Sequence, residues 1–268
     1  MSALERIAHA GCALARQAGA AILEVYAGSF AVEHKADDSP LTAADMASHR
    51  AIVTGLRELT PDIPVLSEES KDIAWSVRRD WERYWLVDPL DGTREFIKRN
   101  GEFTVNIALI EDHAPVLGVV LVPVTGELYY GIAGEGAFLE SAPGVLPRPI
   151  ASRTAAAVPV VAGSRSHGNE RQAAMLRNLG EHRLLPVGSS IKFCMIARGD
   201  ADLYLRLGPT SEWDTAAAQC VLEQAGGAVV DLQGEPLCYN AKESLLNPEF
   251  LALGDHSVDW LGRLGVRK

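Results

Sequence analysis

Metal-type cysteine pairs, an excess of basic charge and any long apolar run are all missing from the sequence, and each gap excludes a class of protein. The four cysteines, Cys12, Cys194, Cys220 and Cys238, show none of the short paired spacings that hold zinc. Three of them sit in apolar stretches, so reduced and mostly buried thiols are expected. The net charge of -10 argues against a protein that coats nucleic acid, because such binding draws its affinity from basic surface. An anionic substrate would therefore need local cations. No apolar stretch approaches the length needed to span a bilayer, and Glu5 and Arg6 interrupt the place where a signal peptide needs an unbroken apolar run. A soluble cytoplasmic chain is expected, with homodimer formation and peripheral contact with the inner membrane face left open.

What is present is globular: 47% hydrophobic and 22% charged residues over 268 positions are enough for one large domain or two sharing an interface. Leu4, Ile7, Ala8, Gly11, Ala15, Ala18, Ile22 and Val25 recur at helical spacing, and so do His49, Ile52, Val53, Leu56 and Leu59. A turn cluster at Asp37-Asp38-Ser39-Pro40 separates these two helices. The middle third changes to short β-rich runs at Trp85 to Val87, Thr104 to Ile110, Val116 to Val122, Leu128 to Ile132 and Ala137 to Leu139, a pattern that predicts a largely antiparallel sheet. After an aperiodic stretch at residues 141–153, strands at Val158 to Ala162, Leu184 to Val187, Leu203 to Leu205 and Ala228 to Asp231 alternate with helices at Glu170 to Leu179, Ser190 to Ala197 and Asp214 to Ala225. The predicted fold class is α/β (α+β), with residues 1–145 and 146–268 as two layered halves and a ligand cleft between them.

Three acidic clusters carry the chemistry. Trp85-Leu86-Val87-Asp88-Pro89-Leu90-Asp91-Gly92-Thr93 reads as a buried strand ending at Asp88, a turn, and a helix starting near Thr93. Two carboxylates ~4 Å apart repel by ~4 kcal/mol at an effective dielectric of ~20, so a backbone-held pair calls for a cation or a shared proton. Oxygen-only donors select Mg²⁺, Mn²⁺ or Ca²⁺, and free N–H groups at Gly92 and Thr93 would favour a phosphate beside the metal. The plainer alternative is that Asp88 and Asp91 only cap the turn and helix. Glu68-Glu69 follows a short apolar run and reads equally as a surface acidic loop. Asp214 opens a helix after Gly208-Pro209-Thr210-Ser211-Glu212-Trp213, where Ser211 and Asp214 can form a capping pair, or Asp214 can supply a carboxylate from the second half to a two-metal cleft.

Taken in order, Glu68-Glu69-Ser70, Asp88-Pro89-Leu90-Asp91-Gly92-Thr93 and Trp213-Asp214 resemble the signature of the lithium-sensitive, magnesium-dependent phosphatases of the inositol monophosphatase superfamily. The resemblance extends to Lys35, Thr42 to Asp45 and Ala225-Gly226-Gly227, and so covers nearly the whole chain. The segment from Asp88 to Ile110, Gly163-Ser164-Arg165-Ser166-His167, Gly188 to Cys194 and Gly208 to Thr215 look like the bisphosphate nucleotidase branch. One departure is Leu205, which stands where that pattern has a proline before Arg206.

The resemblance implies a layered sandwich of alternating helix and sheet, and two or more Mg²⁺ ions per site. Glu68, Asp88 and the Leu90 carbonyl would hold one ion; Asp88, Asp91 and Asp214 would hold a second. Thr93, oriented by Asp45, would help accept a proton from the attacking water, which Glu68 would also orient. Gly92, Thr93, Arg94, Ser164, His167, Ser189, Ser190, Lys192 and Arg206, with Glu68, Asp91 and Asp214, would contact a small nucleotide bisphosphate. The implied reaction converts adenosine 3',5'-bisphosphate to AMP and phosphate, the clearance of a by-product of sulfate assimilation. The alternatives are another small phosphomonoester such as inositol phosphate, and a metal-dependent nucleotide sensor without turnover. An aspartyl-phosphate phosphotransferase fits less well, because its two aspartates stand two apart and Asp88 and Asp91 stand three apart.

Overall fold

The computed structural model describes residues 2–29, 31–34, 40–163 and 170–266. Lys35, Asp37, Asp38, Ser39, Ser164, Arg165, Ser166 and His167 lie outside the described residues. Helix α1 (Ala3–Ala27) starts at Ser2, whose hydroxyl accepts the Glu5 N–H at 3.1 Å while the Glu5 carboxylate accepts the Ser2 N–H. Its buried stripe is made largely of small residues, Ala8, Gly11, Cys12, Ala15, Ala18 and Gly19 with Ile22, so the helix can lie close to what it covers. An antiparallel pair, β1 (Val32–His34) and β2 (Pro40–Thr42), leads into α2 (Ala43–Leu59), capped by Thr42 and Asp45.

The predicted antiparallel region forms a seven-stranded sheet whose spatial order follows the sequence: β3 (Val65–Ser67), β4 (Arg83–Asp91), β5 (Thr104–Glu111), β6 (Ala114–Leu121), β7 (Leu128–Ile132), β8 (Gly136–Glu140) and β9 (Arg148–Ile150). Only β3 and β4 run parallel, joined through the short helix α3 (Trp75–Arg78); α4 (Thr93–Ile97) connects β4 to β5. Both faces are covered. On β5, Val105, Ile107 and Leu109 join the core under α1 and α2, while Ala108 and Ile110 belong to the core on the opposite face. Burial on two sides explains why the strand reads as an almost continuous apolar run.

The second half supplies β10 (Val160–Gly163), α5 (Glu170–Leu179), β11 (Arg183–Pro186), α6 (Ile191–Ala197), β12 (Leu203–Arg206), α7 (Ala216–Gln224), β13 (Ala228–Asp231), β14 (Phe250–Leu253) and α8 (Trp260–Arg263). Its sheet has the order β11-β10-β12-β14-β13, with parallel pairs among the first three and antiparallel pairs thereafter. Helices α6 and α7 pack between the two sheets, and Met175, Leu179 and Trp260 of α5 and α8 cover the outer face of the smaller one. The result is the expected layered sandwich: helices, seven strands, helices, five strands, helices. Close approach of α7 demands glycine beneath it, since a Cβ on Gly118 would fall 2.1 Å from the Ala217 carbonyl oxygen. The middle core draws on both sides of the 141–153 segment, with Leu86, Ala108 and Val120 against Phe193, Ala217 and Val221.

Candidate active site

The acidic centre begins with an irregularity in β4. Asp88 pairs with Asn106 and Asp91 with Thr104, so three steps on β4 are matched by two on β5. In a regular strand, residues three apart point to opposite faces; the one extra residue of this bulge returns Asp91 to the face that Asp88 occupies. The strand read as ending at Asp88 therefore continues to Asp91, and Pro89 is tolerated because the ladder is interrupted there. Asp88 is 1% exposed and accepts the Leu90 N–H at 3.0 Å. The chain then reverses at Gly92, whose φ of 91° suits glycine, and a Cβ there would meet the Glu102 carbonyl oxygen at 3.1 Å.

Asp214 arrives from the other half on a 3-10 turn, Glu212–Asp214, and not in the first turn of α7 as its sequence suggested. Its Oδ2 accepts the Ser211 N–H at 2.8 Å. Capping and membership of the acidic centre thus coexist: Asp88, Asp91 and Asp214 each place a carboxylate oxygen within 4.8 Å of the others. Burial, reinforced by the charges of Glu68, Asp91 and Asp214, holds the Asp88 carboxyl well above the usual range. Burial followed by the charge of Asp91 does the same to Asp214. Asp91 is pushed up to about 6 by burial, moderated by the Lys192 charge and the Ser190 N–H. Three crowded, proton-seeking carboxylates with oxygen as the sole donor type fit a hard divalent cation.

Glu68 leaves β3 on a 3-10 turn, Glu68–Ser70, and lines the same cleft as Asp91 and Asp214. Thr93 Oγ1 lies 3.3 Å from Asp45 Oδ1 and 3.4 Å from the Leu90 carbonyl oxygen. Asp45 is itself held by the backbone N–H and hydroxyl of Thr42, at 2.8 and 2.6 Å. Glu68, Asp91, Thr93 and Asp214 thus line one cleft of 360 Å³, with the buried Asp45 and Asp88 directly behind Thr93 and Asp91.

Arg94, Ser189, Lys192 and Arg206 line the remainder of the cleft, beside Glu95, Tyr204 and Pro209. Lys192 is 5% exposed, donates to the Ser189 carbonyl at 2.6 Å and sits 5.1 Å from the centre of the Tyr204 ring. Burial lowers its pKa to about 8 against the opposing pull of Asp91. Arg206 donates to the carbonyls of Gly208 and Pro209, at 3.1 and 2.9 Å. Leu205, in the proline position, pairs with Leu251 in the smaller sheet and is 1% exposed. The Ser190 hydroxyl, expected at the substrate, is buried and bonded to Asn106 and Thr104. Those last two residues were not singled out from the sequence; the signal available was a pair of polar residues, two apart, in an otherwise apolar strand.

The chain belongs to the inositol monophosphatase family, whose model matches residues 3–256. Within that family it is 56% identical to the 3'(2'),5'-bisphosphate nucleotidase CysQ of Salmonella typhimurium over 241 residues, 89% of this chain and 96% of that one. The crystal structure of CysQ from Bacteroides thetaiotaomicron superposes with a TM-score of 0.84 at 42% identity, covering 94% of this chain and 98% of that one. An inositol monophosphatase from Zymomonas mobilis superposes with a TM-score of 0.80 at 27% identity, covering 99% of this chain and all of the other.

Proposed function

We propose that the chain is a Mg²⁺-dependent 3'(2'),5'-bisphosphate nucleotidase that hydrolyses adenosine 3',5'-bisphosphate to AMP and phosphate in the cytoplasm. The carrying observation is one cleft whose lining combines Asp91 and Asp214, crowded against the buried Asp88, with Lys192 and Arg206. Identity of 56% to a bisphosphate nucleotidase over most of both chains supports the substrate class.

Glu68, Asp88, Asp91, Asp214 and the Leu90 carbonyl would hold the metal. When bound, it supplies Lewis acidity to the phosphoryl group and acidifies water. Thr93, with its hydroxyl aimed at Asp45, takes the proton of the attacking water as its own passes to that carboxylate. Water oxygen bonds to phosphorus, the bond to the ribose 3'-oxygen breaks, and that oxygen takes its proton from a solvent water, whose hydroxide is neutralised by the proton carried on Asp45. The Gly92 and Thr93 N–H groups stabilise charge on the phosphoryl oxygens. Lys192, Arg206 and Ser189, with Ser164 and His167, recognise the second phosphate and the nucleoside.

Phosphate release from adenosine 3',5'-bisphosphate and from inositol 1-phosphate, each with Mg²⁺, with EDTA and with added Li⁺, tests this reading. Mg²⁺-dependent, Li⁺-inhibited release from the nucleotide is expected. Preference for the inositol ester would overturn the substrate; nucleotide binding without release would favour a sensor.

A further inference from the structure

Thr104 and Asn106 are 0% and 1% exposed, in a strand whose neighbouring residues are valine, isoleucine, alanine and leucine. A hydroxyl and an amide at that depth are unfavourable unless their donors and acceptors are met. Their shared partner, Ser190, lies in the other half of the chain. Ser190 Oγ donates to Asn106 Oδ1 at 2.7 Å, and Asn106 Nδ2 donates to Thr104 Oγ1 at 3.4 Å. The Thr104 hydroxyl then has two acceptors, Ser190 Oγ at 2.8 Å and Asp91 Oδ2 at 3.5 Å. The same Asp91 oxygen takes the Ser190 N–H at 2.6 Å.

We propose that Thr104 and Asn106 are positioning residues for Asp91: they clamp the Ser190 side chain so that its N–H occupies one Asp91 oxygen and the carboxylate turns the other to the cation. This rests on the metal-dependent reading above. The clamp acts through Ser190, which sits directly before α6 in the loop that also carries Ser189 and Lys192. Metal affinity and the placement of that cleft-lining loop therefore depend on the same three side chains.

The test is direct titration of the full chain with Mn²⁺ and Mg²⁺ by calorimetry, without substrate, for wild type, Thr104→Val, Asn106→Leu and Thr104→Ser. Thr104→Val and Asn106→Leu should raise the metal Kd by roughly 10-fold or more, the lower bound for loss of a partner that orients a ligand. Thr104→Ser should restore it, because the hydroxyl is what matters. Activity lost at limiting metal should recover at saturating metal. A purely structural role would lower the melting temperature with Kd unchanged. Folded variants with wild-type Kd would overturn the inference and leave the function untouched. A wild-type chain that binds neither cation would overturn both. Should Thr104→Val and Asn106→Leu fail to fold, Ser190→Ala removes one hydroxyl from the same clamp, and an unchanged Kd there overturns the inference equally.

Discussion

Beside the cleft the carboxylate oxygens of Asp88, Asp91 and Asp214 crowd within 4.8 Å of one another, whereas the cations Lys192 and Arg206 are already bonded to backbone carbonyls. The carboxylates are buried and have like charges for neighbours, and their pKa values are raised first by that burial and then by the repulsion. The cations feel nearby acidic charge, Asp91 for Lys192 above all, but their hydrogen bonds go to neutral carbonyls, which a phosphate can replace because hydrogen bonds between ionised groups are stronger. The carboxylates repel one another; the cations are satisfied and exchangeable. The first would govern whether chemistry occurs, and the second which ester is chosen.

Asp91→Asn should break that contrast most severely. Turnover is expected to fall by more than the ~10²–10³-fold that follows loss of a single oxyanion donor. The same variant should melt higher than wild type in EDTA, since a repelling charge is gone, and scanning calorimetry beside phosphate release checks both directions at once. Lys192→Met probes the cations. Loss of a charge-assisted hydrogen bond to phosphate should raise KM for the nucleotide by roughly 10–100-fold with kcat little altered. Unfolding in EDTA should show little change, because methionine keeps the apolar stem and relief of a buried charge offsets the lost attraction to Asp91.

The smallest effect expected is on stability against pH. Asp91, Asp88 and Asp214 have folded-state pKa values raised above the unfolded carboxylate value of ~3.9. The folded chain then binds more protons than the unfolded one, so stability falls as pH rises from about 4 through 6 and beyond. For Asp91 this amounts to roughly 1–3 kcal/mol, reduced by its partial exposure. Melting in EDTA should be lower at about pH 8 than at about pH 5, and Mg²⁺ should narrow or reverse that gap. A metal-free protein equally stable at both would mean that burial and mutual repulsion do not raise these carboxyls above their unfolded value.

The sequence was most legible where a period or a turn residue repeats. The strand runs of β4 to β8 and the bounds of α5 follow from local alternation and helical spacing, whereas β9, three residues paired to β8, lies inside the 141–153 stretch read as aperiodic. The acidic residues were legible as types and as a family pattern, but their common face was not, because the bulge depends on how many residues the partner strand offers. Counting along β4 alone places Asp88 and Asp91 on opposite faces. Thr104 and Asn106 looked like ordinary strand positions, since their partner Ser190 lies more than eighty residues away. Strand β14 and helix α8, four residues each, are too short to show a period.

Two aspartates separated by one residue in a regular strand would also share a face, so the bulge must provide something else. It releases backbone from the ladder. The Pro89 carbonyl accepts the Ser48 hydroxyl at 2.7 Å, tying α2 to the strand, and the Leu90 carbonyl faces the Thr93 hydroxyl beside the acidic centre. Part of the centre is thus written in the main chain, where exchanging one side chain for another cannot erase it. Point mutation can strip the carboxylates one at a time, but that oxygen remains for as long as β4 keeps its extra residue.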